Sequence, residues 1–223
     1  MSTRITLPTT VAEVAQALRA IVAGVSLKDG VGVFAGVYLT VTEGILAHLR
    51  AGDLFSDPNA TGDLDVAFAA RFIEAVAAGD RASACWRPLM ELREHADIHP
   101  LQFALAGINA HVEHDLPLSV VDTCRRLGTT PEALSGDYEK INDVLAQVEQ
   151  QVRVSLIGDD LPQADPLLHV IGSWSIDRAR DVAWGSTLAL WELRESTLAY
   201  DALAGSLDAS VSVACRLLLT PLG

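Results

Sequence analysis

Apolar residues recur along this chain at the period of an α-helix, and no stretch alternates as a β-strand would. Capping and stop residues punctuate the pattern: Thr10 and Glu13 form a capping box, and Gly52 ends a long apolar helix. We predict helices at about 11–22, 31–50, 64–78, 84–94, 99–127, 135–156, 175–196 and 198–219. The pattern predicts an all-α fold, with residues 1–223 forming one single-domain bundle of seven or eight helices.

Two connections between the predicted helices are rich in Pro, Gly and Asp, which favour loops. We expect loops at 53–63 and at 158–166. Between them, Thr130-Pro131-Glu132 starts a short turn of helix, and Ser135 or Asp137 is expected to cap the long helix that follows.

The stretch from His99 to Leu127 is predicted to be the central helix, because it is apolar nearly all round until it reaches a polar cluster. One face carries, at helical spacing, Ala104, Gly107, His111, Asp115 and Leu118, with His114 beside it. Pro117 has no N–H to donate, so we expect a kink or break just after the cluster. Ionisable groups on a buried helix are costly unless they are paired, bound to a ligand or used in chemistry.

The charge of the chain argues against two classes of partner. With 29 acidic and 16 basic residues the net charge is −13, which disfavours nucleic acid and anionic membrane surfaces. The N-terminus lacks the apolar core of a signal peptide, and no charge-free apolar stretch reaches the length of a membrane span. We therefore expect a soluble, cytoplasmic protein. The three widely spaced cysteines fit neither a disulfide framework nor a zinc ribbon, and we expect buried inert thiols.

The polar cluster of the central helix is the strongest candidate for chemistry. His111 and Asp115 are four residues apart, so Asp115 can orient His111 as a general base, or the pair can hold a divalent metal. His114 and Asp65 are the further candidate catalytic residues, and a metal would add Asp65 and Glu43 as ligands. The acid–base chemistry would need no organic cofactor. The H-E-x-x-H pattern and the doubled Glu-x-x-His pattern of di-metal bundles are absent.

Four residues are candidates for lining a substrate pocket. They are polar or aromatic residues at positions where the surrounding pattern is apolar: Tyr38, Thr42, Trp86 and Asn109. A structural interpretation stands beside this one. His111, Asp115 and Asn109 could form a hydrogen-bond network that joins helices, and Arg71 could pair with Asp65.

Several blocks resemble a bacterial family of uncharacterised proteins known only as a domain of unknown function. The blocks are VYLTVTEGI at 37–45, LDVAFAARF at 64–72, PLQFALAGINAHVEHDLP at 100–117, DYEKIN at 137–142 and ARDVAW at 179–184. The chain departs from the family pattern at Glu113, where Asn is more frequent. The resemblance implies an all-helical cytoplasmic protein. The occurrence of some relatives among genes of secondary metabolism favours an enzyme.

The sequence leaves three functions open. The first is an enzyme that catalyses cyclisation, isomerisation or elimination of a lipophilic small molecule, with His111 and Asp115 as its acid–base pair. The second is a metal-dependent hydrolase or oxygenase that uses the same cluster as ligands. The third is a non-catalytic binding module in which the cluster is structural, with the apolar C-terminal helix as a candidate homodimer surface. Phosphate-binding glycine loops and the G-x-S-x-G elbow are absent, so nucleotide-dependent and α/β-hydrolase functions are not expected.

Overall fold

The computed structural model describes residues 6–157 and 175–221, and every regular element within them is helical. The elements are α1 (Val11–Ala23), α2 (Gly30–Ala51), α3 (Pro58–Ala78), a 3-10 turn (Gly79–Arg81), α4 (Arg87–Leu92), α5 (Pro100–Ala110), a π-helical turn (His111–Asp115), α6 (Leu116–Leu127), α7 (Pro131–Ile157), α8 (Ile176–Glu192) and α9 (Thr197–Leu218). Because α5, the π turn and α6 run on as one central helix, the described parts of the chain contain eight helices. The predicted all-α bundle is confirmed.

The start of α3 differs from the sequence prediction. The helix begins at Pro58, so the second half of the predicted 53–63 loop is helical. The side chain of Asp57 accepts a hydrogen bond from the Ala60 N–H, and Pro58 occupies the first turn, where its missing N–H is harmless. These two local signals start the helix before the apolar pattern becomes visible.

The predicted cap of the long helix is also wrong. α7 runs without interruption from Pro131. Asp137 instead accepts hydrogen bonds from the backbone N–H groups of Ser56 and Asp57, at 2.8 and 2.7 Å. It therefore ties α7 to the start of α3, which a local sequence pattern could not indicate. The loop predicted at 158–166 lies outside the described residues.

Two glycines allow α2 and α5 to cross closely. A Cβ atom at Gly107 would overlap the ring of Phe34, and one at Gly30 would overlap the ring of Phe103. Each helix thus receives a phenylalanine from the other where it carries a glycine. This crossing brings the face of α2 that carries Phe34 and Tyr38 against the central helix.

α2 is long and apolar enough to cross a membrane by length and composition. In the structure it packs inside the bundle, against α1 and α5, and Val31, Phe34 and Ala35 are buried. A core helix passes the same compositional test.

The buried apolar residues form two main clusters. One joins α1, α2, α3, α4, α5 and α9, with Leu18, Phe72 and Trp86 among its fully buried members. The other joins α3, α6, α7 and α8. Phe68 and Ile108 pack against both clusters. His111 of the central helix stacks on Phe68, so the polar cluster lies where the two apolar clusters meet.

Candidate functional site

The polar cluster of the central helix lies on a π-helical turn rather than on regular α-helix. The Leu116 N–H donates to the His111 carbonyl, five residues back instead of four. The irregular turn therefore coincides with the cluster and does not follow it. The helix is not broken at Pro117, which lies in the first turn of α6. With the wider turn, His111 faces α2 and α3 while His114 lies towards Asp208 of α9.

Asp115 is buried and accepts hydrogen bonds from three side chains. Its Oδ2 accepts from Trp86 Nε1 at 2.9 Å and from His111 Nδ1 at 3.1 Å, and its Oδ1 accepts from His114 Nδ1 at 2.8 Å. Burial alone would raise the pKa of Asp115, but the hydrogen bonds from His111 and His114 outweigh it and lower the pKa below its usual value. Both oxygens of this ionised carboxylate accept hydrogen bonds, and the bond from His111 Nδ1 fixes the orientation of the imidazole.

His111 is left with one unused nitrogen. A carboxylate only accepts, so the hydrogen of the neutral ring must be on Nδ1, and Nε2 carries the lone pair. Nε2 is buried and has no hydrogen-bond partner among the described residues. The ring stacks on Phe68 with 3.5 Å between centroids and meets the edge of Tyr38 at 4.5 Å. Burial lowers the pKa of His111, which keeps the imidazole neutral near pH 7.

His111 lines a cavity of about 120 Å³ between α2, α3, the central helix, α7 and α8. Most of the lining is apolar, contributed by Phe34, Val37, Val41, Ile45, Leu64, Phe68, Leu101, Ala104, Leu105, Ile108, Val112, Leu116, Ile141, Leu145 and Ile176. Three titratable side chains on this wall have a buried polar atom without a partner in the part of the chain that is described: Tyr38 Oη, Asp65 Oδ2 and His111 Nε2. Unpaired polar atoms are therefore concentrated at the cavity.

Burial raises the pKa of both Asp65 and Tyr38. Burial raises the pKa of Asp65 to about 7, so a large fraction of the carboxyl is protonated at neutral pH. The pKa of Tyr38 is raised by burial and by the negative charges of Asp65 and Asp115. The predicted Arg71–Asp65 ion pair is wrong, because the Arg71 guanidinium binds Asp122 and Ser119 on α6 instead.

The cavity wall also contains a buried cation that the sequence analysis missed. Arg180 of α8 donates to Asn142 Oδ1 at 2.5 Å and to the Tyr138 carbonyl, and it stacks on the Tyr138 ring at 4.0 Å. Tyr138 Oη in turn donates to the Arg180 carbonyl at 2.8 Å. The two residues lie in the DYEKIN and ARDVAW blocks, but no local pattern places them together.

The other predicted site residues lie away from the cavity wall. Glu43 is 46% exposed and pairs with Arg19 of α1, so it is not near His111. The Asn109 amide donates to Cys215 Sγ at 3.4 Å. Trp86 donates to Asp115 and does not line the cavity. Thr42 is buried one helical turn after Tyr38, and it does not line the cavity either. The predicted metal set of His111, Asp115, Asp65 and Glu43 is therefore not assembled.

Comparison with known proteins gives a family but no activity. The model of a family of unknown function, DUF5995, matches residues 11–221. No curated protein and no solved structure matches the chain. The match agrees with the resemblance found in the sequence.

Proposed function

Starting from the chain's membership of this family of unknown function, we propose that it is an enzyme that performs acid–base chemistry on a lipophilic small molecule. The observation that carries the proposal is the set of unpartnered polar atoms on the apolar cavity wall, from Tyr38, Asp65 and His111. Leaving a buried polar atom unsatisfied costs about 1–3 kcal/mol. A ligand that binds in the cavity and hydrogen-bonds to these atoms would recover that free energy.

The three side chains have complementary roles. His111 Nε2 is the general base, and Asp115 behind it stabilises the imidazolium that forms when the base takes a proton. Asp65, with a pKa of about 7, is the general acid that returns a proton to the substrate. Tyr38 Oη donates a hydrogen bond to an oxygen that gains charge during the reaction. Removing one proton and adding another is the chemistry of isomerisation, elimination and cyclisation.

The cavity limits the substrate. An engineered cavity of about 150 Å³ in another protein binds benzene. We infer that the reacting part of the substrate has roughly that size and is apolar apart from one or two oxygen atoms, as in many intermediates of secondary metabolism. The remaining parts of the proposal are a cytoplasmic location, no nucleic-acid or membrane partner, and the C-terminal helix as a homodimer surface. Leu198 and Leu217 of α9 are largely exposed, in accord with that surface.

A second candidate function is a non-catalytic binding module. The observation in its favour is the Asp115 network, in which Trp86 beside α4 and two histidines of the same π turn donate to one carboxylate and so tie α4 to the central helix. Such a network joins helices whether or not chemistry follows. The metal-dependent alternative on His111 and Asp115 has less support, because the two side chains bond to each other through His111 Nδ1 and the further predicted ligand Glu43 pairs with Arg19 instead.

Proton exchange tests the catalytic proposal without knowledge of the full reaction. The protein is incubated in D2O with a panel of small apolar ketones and enones, and mass spectrometry follows deuterium incorporation next to the carbonyl. We expect catalysed exchange with at least one compound, and a loss of about 100-fold or more in His111→Gln. Compounds that bind to the wild-type protein and to His111→Gln equally, without exchange in either, would favour the binding module.

Thr123→Val is the matched control. Thr123 also has a buried hydroxyl without a partner in the described residues, but it lies on α6 outside the cavity wall. The substitution removes a buried, unsatisfied hydroxyl that lies outside the cavity wall, and it should leave exchange unchanged. A fall in exchange in this control would mean that the assay reports general perturbation of the fold.

A further inference from the structure

A second cluster of potential ligand atoms lies on the other side of the π turn. Cys85 Sγ, a ring nitrogen of His114 and a carboxylate oxygen of Asp208 lie within 4.8 Å of one another. Cys85 and His114 are buried, and the Asp208 side chain is 25% exposed, which leaves a route from solvent. None of the three lines the cavity of the proposed acid–base site.

Two of the three side chains, Asp208 and His114, are held by hydrogen bonds from or to neighbouring groups. Asp208 accepts hydrogen bonds from the Cys85 and Ala84 N–H groups at 2.8 and 3.0 Å, one on each oxygen, which orients its carboxylate towards the thiol. His114 is fixed through Nδ1 by Asp115 at 2.8 Å. Its Nε2 lies 3.8 Å from Asp208 Oδ1, which is too long for a hydrogen bond. The imidazole therefore presents an unused nitrogen to two other potential ligands.

We propose that Cys85, His114 and Asp208 bind a zinc ion, with a fourth position open to water. Tetrahedral zinc with bonds of about 2.0–2.3 Å holds its ligand atoms roughly 3.3–3.7 Å apart. The observed separations exceed these distances by about 1.5 Å at most, so zinc binding requires small rotations of the side chains. One thiolate, one imidazole and one carboxylate suit zinc, whereas magnesium and calcium require oxygen ligands.

The environment of His114 supports the assignment. Histidines that bind zinc usually donate their other N–H to a carboxylate, and Asp115 is in that position. When zinc binds, the Cys85 thiol loses its proton to solvent as the sulfur–zinc bond forms. Asp115 also accepts the hydrogen bond from His111 at the cavity. A zinc ion on His114 would therefore help to fix the position of Asp115 and, through it, of the proposed base. The zinc site itself does not depend on the proposed function.

Cobalt is the probe for the test, because a cobalt–thiolate bond gives a charge-transfer band in the near ultraviolet. The full chain is stripped of metal with a chelator and titrated with Co²⁺, and zinc affinity is then measured by competition. We expect one equivalent of cobalt with the thiolate band in the wild-type protein. Cys85→Ser should abolish the band, and Asp208→Asn, which keeps an acceptor oxygen for one of the two backbone N–H groups, should weaken zinc binding by 10-fold or more.

Two cysteine variants are the matched controls. Cys124 and Cys215 are also buried and free, and neither has two potential ligands beside it among the described residues, so Cys124→Ser and Cys215→Ser should keep the band. No thiolate band in the folded wild-type protein, or an unchanged band in Cys85→Ser, would overturn the proposal. If Cys85→Ser fails to fold, the zinc affinity of Asp208→Asn decides, and an unchanged affinity overturns the site.

Discussion

The two edges of the His111 imidazole face different environments. On the Nδ1 edge, Asp115 gathers hydrogen bonds from His111, His114 and Trp86, and both of its oxygens are used. On the Nε2 edge, the cavity wall holds three buried polar atoms with no partner in the described chain. Polar groups that are satisfied inside a protein are explained by the fold alone. Polar groups left unsatisfied around a cavity are not explained by the fold alone, and the proposed substrate would supply their partners.

The largest effect is expected from Asp115→Ala, which breaks the satisfied side. The substitution leaves Trp86, His111 and His114 with buried donors and no acceptor, so we expect a loss of about 3–5 kcal/mol in the free energy of unfolding. Urea denaturation measures it. Glu43→Ala is the control, because its exposed pair with Arg19 should contribute less than about 1 kcal/mol. A similar small loss in both variants would refute the structural role of Asp115.

The next largest effect is a pH dependence on the unsatisfied side. The pKa of Asp65 is about 7 in the folded protein, against an ordinary value of 3.8, so the folded state binds the extra proton between these values. Its contribution to the free energy of unfolding is therefore full below about pH 4 and falls by up to about 4 kcal/mol as the pH rises to 7. Asp65→Asn should remove that fall.

The measurement is urea denaturation at a series of pH values, which gives the free energy of unfolding of each protein as a function of pH. The curve of each variant is then compared with the wild-type curve. Asp63→Asn on the same helix is the control, because Asp63 is 41% exposed and pairs with Arg126. Its curve should run parallel to the wild-type curve. If the Asp65→Asn curve is also parallel, then the carboxyl titrates as an exposed one and cannot be the general acid.

A smaller loss is expected from Trp86→Phe, which removes one donor from Asp115 and keeps most of the apolar ring. A hydrogen bond to a charged group contributes about 1.5–3 kcal/mol, and the unfolding free energy should fall by that amount. Trp191→Phe, at a half-buried position on α8, is the comparison for the loss of ring size. Equal losses in the two variants would show that the indole N–H adds nothing to the network.

The smallest effect on stability is expected from Tyr38→Phe on the cavity side. The phenol oxygen has no partner in the described residues, so the unfolding free energy should stay constant or rise by up to about 1 kcal/mol. Exchange activity should fall about 10-fold or more, since the proposed hydrogen-bond donor to the substrate is removed. A clear loss of stability would place Tyr38 Oη in a structural hydrogen bond and weaken the contrast between the two edges.

The sequence predicted those features that depend on local pattern. Helical periodicity indicated the bundle, and the His111–Asp115 spacing indicated that the two side chains meet. The positions of Glu43 and Arg180 depend instead on how helices pack. Glu43 was predicted as a metal ligand and lies on the side of α2 that faces α1. Arg180 was not predicted as a site residue and lines the cavity. The lack of a partner for Asp65 within the described residues is a property of its three-dimensional surroundings, so no pattern along the chain could show it.

The π turn has a consequence for how the central helix tolerates changes in length. Each residue of an α-helix turns the chain by about 100°, so one additional residue in 111–115 puts α6 out of phase with α5 by that angle. A continuous helical wheel aligns Leu118 with His111 and would point it towards the cavity. Because of the phase shift, Leu118 packs against Val121 and Leu190 outside the cavity wall. Deleting the half-buried Glu113 would bring α5 and α6 back into phase. The face of α6 that packs against α8 would then turn away from α8. Substitution at that position is therefore expected to be tolerated far better than loss of a single codon.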